Sequence, residues 1–421
     1  MGKSSGHHPH RLTLRGRGYF RRLGPGIVTG AADDDPSGIG TYSQVGAASG
    51  FQLLWAAPVL LPLAFAVQET CARLALVSGM GLARLIRTRL PRGILVVCIA
   101  LVAIANTVNI AADLASMAAA TRLLVPLPQT VGVVLFAVVI GAAEVFVPYH
   151  RYARILRWLC LSLLAYVAVL FVAHINWAEV LRSTFVPTLT WEKVTFAALI
   201  ALAGTTISPY LFFWQAAEEI EDEDDAHPDL SDAHVRAMRV DVFAGMFSGV
   251  FIMFAIMATA GATLHVQGIT DITTAEQAAQ ALRPIAGELA GTLFLLGILG
   301  TGLLAIPVLA GSTAYAMSES FGWTESLERR PSQAKAFYAV IVASIAVGLL
   351  LGYTGVNPLH FLFIAALVNG LVAPFLLLVI WWLARDSAQL GRWRSPRWSQ
   401  ALVLITALAM IALPVLWLLA P

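Results

Sequence analysis

Gly24 to Gly50 reads GPGIVTGAADDDPSGIGTYSQVGAASG, an apolar stretch that is interrupted at its centre by three consecutive aspartates and a proline. A carboxylate at the middle of a membrane helix costs about 2.5–3.5 kcal/mol on insertion scales, so Asp33, Asp34 and Asp35 must face protein or water rather than lipid. Pro36 lacks a backbone donor and disfavours helical backbone at the residue before it. The stretch therefore predicts a broken helix, with two half-helices on either side of an irregular acidic centre.

The composition of the whole chain is that of a membrane protein. Of its 421 residues, 58% are hydrophobic and only 12% are charged, which would be anomalous for a soluble protein. The three cysteines lie in or beside apolar runs without paired spacing, which favours buried thiols over a disulfide framework or a thiolate metal site. Residues 1–22 are basic and polar, and no cleavage pattern follows them, so we expect a cytosolic tail rather than a signal peptide.

About eleven segments are long and apolar enough to span a bilayer, which takes roughly 20 residues. They lie near residues 24–49, 51–71, 94–121, 127–147, 153–174, 193–217, 240–264, 286–317, 336–354, 358–383 and 400–419. If the N-terminus is cytosolic, the inside segments hold 23 of the 27 Lys and Arg residues. Because cytoplasmic loops carry the excess of basic residues, we expect a multi-pass protein of the plasma (inner) membrane, with a cytosolic N-terminus and an extracytoplasmic C-terminus.

A second interrupted segment lies five segments after the first. Ala203 to Ala217 reads AGTTISPYLFFWQAA, again with glycine, hydroxyl residues and a proline in mid-membrane. A proline kink alone is often structural, and the hydroxyls of Thr205, Thr206 and Ser208 could bond freed carbonyls without contacting a substrate. Two interrupted helices at corresponding positions of two five-helix halves, however, are typical of an inverted-repeat transporter with its binding site at the midplane.

The predicted organisation follows from these two breaks. Residues 1–22 form the tail, and residues 23–385 form a transporter core whose repeats cover about 23–175 and 192–385. Residues 386–421 form a linker and an additional C-terminal transmembrane helix.

The two breaks also predict a site for a hard cation. Broken helices expose carbonyl oxygens at the C-terminal ends of their first halves, and these dipole ends favour cations. With the carboxylates and hydroxyls, all the available donors are oxygen, since neither break contains Met, Cys or His. Mg²⁺ and Ca²⁺ prefer such donors, whereas softer transition metals gain from imidazole or sulfur.

Three segments carry a resemblance to a known family. GPGIVTGAADDDPSGIGTYSQVGA resembles the first helix of the Nramp (natural resistance-associated macrophage protein) metal transporters, whose signature there is Asp-Pro-Gly-Asn. TISPYLFFWQA resembles their sixth helix, with the signature Met-Pro-His, and NTVNIAADLASMAAA resembles their third. The resemblance implies an all-α integral membrane protein with a LeuT-type 5+5 inverted repeat of about eleven transmembrane helices, of which helices 1 and 6 are broken at mid-membrane. It implies no cofactor, because the divalent ion is cargo.

The family's metal ligands are only partly present in this chain. The residues at the family's ligand positions are Ala32 and Thr205 for the two carbonyls, Asp35 for the Asp, Gly38 for the Asn and Ser208 for the Met. Tyr210 stands at the position of the family's sixth-helix His. The soft sulfur is therefore missing, and the small residues Gly38 and Ser208 leave room for a partly hydrated ion. The pattern is similar to the Nramp-related magnesium transporters, which implies transport of Mg²⁺ and also of Mn²⁺, while aluminium-type and manganese-type relatives stay open.

Other polar residues are candidates for secondary roles. Asp33, Asp34, Tyr210 and Gln215 are candidates for a secondary metal position or vestibule. Of Asp33 and Asp34, one could hold hydrated metal at the inner vestibule, and the other could cap a half-helix. The sequence does not show which of Asp33 and Asp34 has which role.

The third segment has a polar helical face whose residues are candidates for the permeation path and for the proton pathway. Asn106, Asn109 and Asp113 lie at i, i+3 and i+7, and they either line the path or bond neighbouring helices. In proton-coupled members of the family, a third-helix Asp and Glu and the sixth-helix His help to carry the proton. The corresponding residues here are Asp113, Ser116 and Tyr210, and this depleted set implies uptake without tight proton coupling.

The sequence bears on four other functions. A proton-coupled Mn²⁺/Fe²⁺ transporter and a channel stay open, while a LeuT-type transporter of amino acids or other organic solutes would need a non-acidic first break to receive a substrate carboxylate. An enzyme is disfavoured, because the sequence has no His-Glu pair with metal spacing, nucleophile elbow or phosphate loop. The expected partners are divalent metal ions and the lipid bilayer, with no nucleic acid, and the chain is predicted to be monomeric.

Overall fold

The structure is a computed structural model that describes residues 29–30, 33–147, 161–173, 175–221, 230–324, 327, 331–386 and 390–421. Over these residues it is helical, without strands. The predicted tail and Ala32 lie outside the described residues. The helices are α1 (Pro36–Ser49), α2 (Ala56–Ser78), α3 (Leu82–Arg89), α4 (Arg92–Thr121), α5 (Gln129–Phe146), α6 (Leu164–Val172), α7 (Trp177–Phe185), α8 (Lys193–Thr206), α9 (Pro209–Glu221), α10 (Asp232–Thr263), α11 (Ala275–Gln280), α12 (Arg283–Ala286), α13 (Ala290–Phe321), α14 (Lys335–Leu351), α15 (Pro358–Ala384) and α16 (Arg397–Leu419).

Eight helical segments within the described ranges are long and apolar enough to cross a membrane. They are Ala56–Ser78, Arg92–Thr121, Gln129–Phe146, Lys193–Glu221, Asp232–Gln267, Arg283–Phe321, Pro358–Ala384 and Arg397–Leu419. α14 is a shorter apolar helix, and Leu161–Val172 with Trp177–Phe185 forms a pair bent by 119°. The predicted segments 24–49 and 153–174 extend into residues that the structure does not describe, so the count of about eleven spans stays a prediction.

Two predicted segments begin at different residues in the structure. Residues 51–55 form turns, and α2 then continues beyond residue 71 to Ser78. The helix continues because the charged residues near its end are buried and form ion pairs. Arg73 bonds Glu69, and Arg239 Nε lies 3.6 Å from Glu69 Oε1. The seventh segment starts before residue 240, at Asp232, because Ser231 and His234 form a capping box there.

Residues predicted to lie on the same side of the membrane contact one another. On the predicted cytosolic side, Arg89 Nη1 lies 3.3 Å from Asp386 Oδ2, although the two lie in different loops. On the predicted outer side, the Asn357 amide donates to the Thr273 carbonyl at 2.7 Å. Both contacts agree with the alternation that the basic residues predict.

Close helix packing holds the second broken helix in place. α8 packs against α15, and α1 packs against α8, α10 and α15. Gly204 is the point of closest approach, since a Cβ at this position would lie 2.1 Å from the Ala366 carbonyl oxygen and 2.4 Å from the Gly370 nitrogen. Glycine at residue 204 thus allows the break to pack directly on the backbone of α15.

We expect Gly204→Ala to lower the thermal unfolding midpoint of the purified protein in detergent. The added methyl would meet backbone atoms, which cannot rotate away, and overpacking of this kind typically costs about 1–3 kcal/mol. Gly141→Ala on α5 is the matched control, because a Cβ there meets nothing within 4 Å. Alanine should leave that midpoint unchanged or raise it, given its higher helix propensity. Equal midpoints for the two variants would contradict the packing of α8 on α15.

Candidate metal site between the broken helices

The acidic centre of the first break forms the N-terminal cap of α1. Asp33 is helical, Asp34 lies in a bend, and Asp35 is extended, with φ −67° and ψ 170°. The Gly38 amide and the Ser37 hydroxyl both donate to Asp35 Oδ1 at 2.7 Å. Aspartate at the cap followed by proline at the first helical position is a favourable helix start. The cap that was expected at Asp33 or Asp34 is therefore Asp35.

Asp35 keeps its other oxygen available. The residue is 1% exposed, and Oδ2 has no hydrogen-bond partner within the described part of the chain. The Asp113 carboxylate of α4 lies within electrostatic contact of Asp35 and near the Ser37 backbone amide. Within the described residues, neither Asp113 oxygen makes a hydrogen bond of ordinary geometry. Two buried carboxylates repel each other, so a cation beside Asp35 Oδ2 would stabilise both.

At the second break, carbonyl oxygens at the end of the first half-helix accept hydrogen bonds from a hydroxyl within the break. α8 ends at Thr206, and α9 begins at Pro209. The Ser208 hydroxyl donates to the Thr205 carbonyl at 2.7 Å and to the Gly204 carbonyl at 2.9 Å. Ser208 thus makes the structural bonds that the sequence left open as an alternative to metal binding. The Thr205 carbonyl keeps a second lone pair, and the Thr205 hydroxyl has no hydrogen-bond partner among the described ranges.

The two breaks lie against each other. A Cβ at Gly38 would lie 3.4 Å from Thr205 Oγ1 and 3.2 Å from Tyr42 Cε2. The Tyr42 and Thr206 hydroxyl oxygens are 3.4 Å apart. Tyr210 is fully buried and within electrostatic contact of several of the acidic groups. The structure therefore brings together the predicted residues Asp33, Asp35, Gly38, Asp113, Thr205, Ser208 and Tyr210.

Other predicted residues bond neighbouring helices instead. The Asn106 amide donates to the Leu309 carbonyl at 3.0 Å and to two hydroxyls of α13. Asn109 and Asn369 form an amide pair between α4 and α15, with bonds of 2.8 and 3.3 Å. Asn106 and Asn109 therefore bond neighbouring helices, which is one of the two roles that the sequence allows for them. Gln215 lies further along α9, where its amide donates to Glu219 at 3.2 Å.

One residue near the site was missed by the sequence analysis. The Thr206 hydroxyl donates to Met253 Sδ at 3.4 Å, so a thioether lies beside the second break although neither break contains sulfur. Met253 lies on α10, 47 residues from Thr206 in the chain. Only the tertiary packing of α10 reveals this proximity, since no local pattern marks Met253.

The donor set is open rather than a complete cage. Among the described residues, no group of three or more His, Cys, Asp and Glu side chains could hold a metal ion. Asp35 Oδ2 and the neutral oxygens of the second break offer a few ligands on one side of an ion. Mg²⁺ usually keeps several waters and binds through one or two carboxylates, so this arrangement suits a partly hydrated hard cation.

Comparisons with known proteins agree over nearly the whole chain. The family described as natural resistance-associated macrophage protein-like matches residues 26–420. The divalent metal cation transporter MntH of Deinococcus radiodurans is 31% identical over 321 residues, which cover 71% of each chain. The protein of the same name in Aeromonas hydrophila is 27% identical over 389 residues, which cover 90% of each chain.

Solved structures share the fold. The Eremococcus coleocola manganese transporter superposes with a TM-score of 0.74 at 17% identity, over 98% of this chain and 87% of that one. Mhp1, a nucleobase-cation-symport-1 family transporter, superposes with a TM-score of 0.55 at 14% identity, over 95% and 94% of the two chains. These structures confirm the predicted all-α, LeuT-type fold. Because the family match spans residues 26–420, the chain belongs to the natural resistance-associated macrophage protein-like (Nramp) family of membrane transporters and is not an enzyme.

Proposed function

We propose that this chain transports divalent metal cations, and in particular Mg²⁺ and also Mn²⁺, by alternating access with the ion held between the two breaks. The observation that carries the proposal is the buried Asp35 carboxylate, whose Oδ2 has no hydrogen-bond partner among the described residues, on a break that packs against a second break with oxygen donors. The curated relatives are named divalent metal cation transporters, which supports the cargo class. In this proposal the N-terminus is cytosolic, the C-terminus is extracytoplasmic, and one chain is sufficient for transport.

The small residues at two ligand positions support Mg²⁺. Gly38 has no side chain, and the Ser208 hydroxyl is directed at carbonyls of its own helix. Mg²⁺ sheds its waters reluctantly, so it needs space for part of its hydration shell. Met253 places a sulfur beside Thr206, which supports Mn²⁺ as a second cargo.

The surroundings of Asp113 support transport without tight proton coupling. The Ser116 hydroxyl, at the family's Glu position, donates to the Asp113 carbonyl of its own helix at 2.9 Å. Tyr210 stands at the position of the family's sixth-helix His. Neither side chain can exchange a proton near neutral pH as readily as a histidine. The set of residues that carries the proton in proton-coupled members of the family is therefore incomplete in this chain.

The test is metal-driven flux in proteoliposomes that contain the full chain. An inward Mg²⁺ gradient should produce saturable Mg²⁺ uptake while the internal pH stays constant, because no proton accompanies the ion. Internal Mg²⁺ and internal pH are followed with two dyes in the same vesicles, and protein-free vesicles are the control. The absence of Mg²⁺ uptake would overturn the cargo, and acidification in proportion to uptake would overturn uncoupled transport.

A proton-coupled Mn²⁺/Fe²⁺ transporter is the second candidate. It is favoured by Asp113, a fully buried carboxylate beside Asp35 and near the Ser37 backbone amide, which could carry a proton. If this candidate is right, metal uptake acidifies the vesicles and Asp113→Asn removes the acidification. If the proposal above is right, Asp113→Asn changes only the rate of metal uptake.

A further inference from the structure

Asp33 is a buried carboxylate that the proposed ion position at Asp35 does not use. It is 1% exposed, and neither of its oxygens has a hydrogen-bond partner among the residues that the structure describes. An ionised carboxylate in such surroundings is strongly destabilised unless a positive group lies beside it. No Lys, Arg or His within the described ranges forms an ion pair with it.

Asp33 and Asp35 face different helices. Asp33 Oδ2 approaches α10, where a Cβ at Gly249 would lie 3.1 Å from that oxygen and 3.4 Å from the Gly30 carbonyl oxygen. Asp35 instead has the Asp113 carboxylate of α4 as its electrostatic neighbour. The Asp33 and Asp35 carboxylates also lie within electrostatic range of each other. Asp33 Oδ2 and the Gly30 carbonyl oxygen both lie beside Gly249.

The charge around the first break also exceeds what one divalent ion can compensate. Four carboxylates are 5% exposed or less: Asp33, Asp34, Asp35 and Asp113. A single divalent ion beside Asp35 and Asp113 compensates two negative charges, and each of the other two carboxylates needs a proton or a second cation at this depth. Because the surroundings have a low dielectric constant, an ionised Asp33 would strongly attract a second cation.

We propose that Asp33 and the Gly30 carbonyl form a second cation site, facing Gly249 of α10, that takes a hard metal cation. The donors are a carboxylate and a carbonyl oxygen, which hard cations prefer. The absence of a side chain at Gly249 provides the space. The proposal rests on the proposed function in that Asp35 holds the transported ion. Mg²⁺ and Na⁺ share the required chemistry, and the experiment separates them.

The experiment counts bound Mn²⁺, as a probe for divalent ions, on the purified full chain by electron paramagnetic resonance of the free ion. The titration is made in choline chloride and repeated in NaCl. If the second site takes a divalent ion, the wild type binds two Mn²⁺ per chain. If it takes Na⁺, the wild type binds one Mn²⁺, and NaCl raises the affinity by about 10-fold, a magnitude typical of coupled sites. One Mn²⁺ per chain whose affinity NaCl does not raise would overturn the proposal.

Variants locate the second ion. Gly249→Ala places a methyl 3.1 Å from Asp33 Oδ2, so it should remove the second Mn²⁺ or the Na⁺ effect and retain the site at Asp35. Asp33→Asn has the wild-type shape and should give the same loss if Gly249→Ala fails to fold. Ser248→Ala is the control, because its hydroxyl bonds the Gly245 carbonyl of its own helix. Wild-type binding by both Gly249→Ala and Asp33→Asn would overturn the location.

The two proposals fail in different ways. If the second site is wrong, Mg²⁺ uptake by the wild type and its dependence on Asp35 are unaffected. If the proposed function is wrong, the wild type shows no Mg²⁺ uptake, whatever number of Mn²⁺ ions it binds.

Discussion

Asp35→Asn is expected to abolish metal uptake and leave the fold intact. Asparagine can still accept the Gly38 hydrogen bond that caps α1, but it removes the negative charge beside the ion. Removing one partner of a buried charge pair costs about 3–5 kcal/mol, which corresponds to a loss of about 100-fold or more in uptake at subsaturating Mg²⁺. The measurement is the initial rate in proteoliposomes with matched amounts of protein.

Ser37→Ala is the matched variant for Asp35→Asn. It keeps the carboxylate and removes only the hydroxyl that donates to Asp35 Oδ1 at 2.7 Å. A hydrogen bond to a charged group contributes about 1.5–3 kcal/mol, so we expect a higher KM with Vmax largely retained. Uptake by Asp35→Asn within a few-fold of the wild type would show that the ion does not bind Asp35.

Combining Gly38→Asn with Ser208→Met is expected to shift the preference from Mg²⁺ toward Mn²⁺. The two changes supply the amide oxygen and the thioether of the Nramp signatures at these positions. They also fill the space that a hydrated Mg²⁺ needs. A Cβ at Gly38 lies 3.2 Å from the edge of the Tyr42 ring, which can shift to accommodate it. We expect the ratio of Mn²⁺ to Mg²⁺ uptake to rise by about 10–100-fold, or about 1.4–2.8 kcal/mol.

Controls separate ligand chemistry from loss of space. Gly38→Ala fills part of the same volume without a donor, so it should reduce uptake of both ions and leave their ratio close to that of the wild type. Ser208→Ala removes the bonds to the Thr205 and Gly204 carbonyls and tests the structural role of the hydroxyl. An unchanged ratio in the double variant would mean that residues 38 and 208 do not set the preference.

Both helix breaks were predictable from the sequence, because their causes are local. Pro36 and Pro209 each follow a residue that cannot stay helical, and both lie in the middle of apolar segments. The capping role of Asp35 was also encoded locally, as aspartate before proline, but three adjacent aspartates obscured which of them caps α1. The structure resolves this through the Asp35 bonds to Ser37 and Gly38.

Features that depend on packing between distant helices could not be predicted from the sequence. Hydropathy ended the second segment near residue 71, because Arg73 counts as a loop residue until its buried bond to Glu69 is seen. The approach of Gly249 to Asp33 and the thioether of Met253 beside Thr206 both depend on how α10 packs. No pattern within α10 marks either residue.

Competition between Mg²⁺ and Mn²⁺ tests most directly the central claim that a hydrated Mg²⁺ occupies the site between the broken helices. The measurement is the initial rate of Mn²⁺ uptake into proteoliposomes at increasing Mg²⁺ concentrations. If both ions bind at Asp35, Mg²⁺ raises the apparent KM for Mn²⁺ without changing Vmax, and Asp35→Asn abolishes the uptake of each ion. Mn²⁺ uptake that stays constant in a large molar excess of Mg²⁺ would contradict the claim.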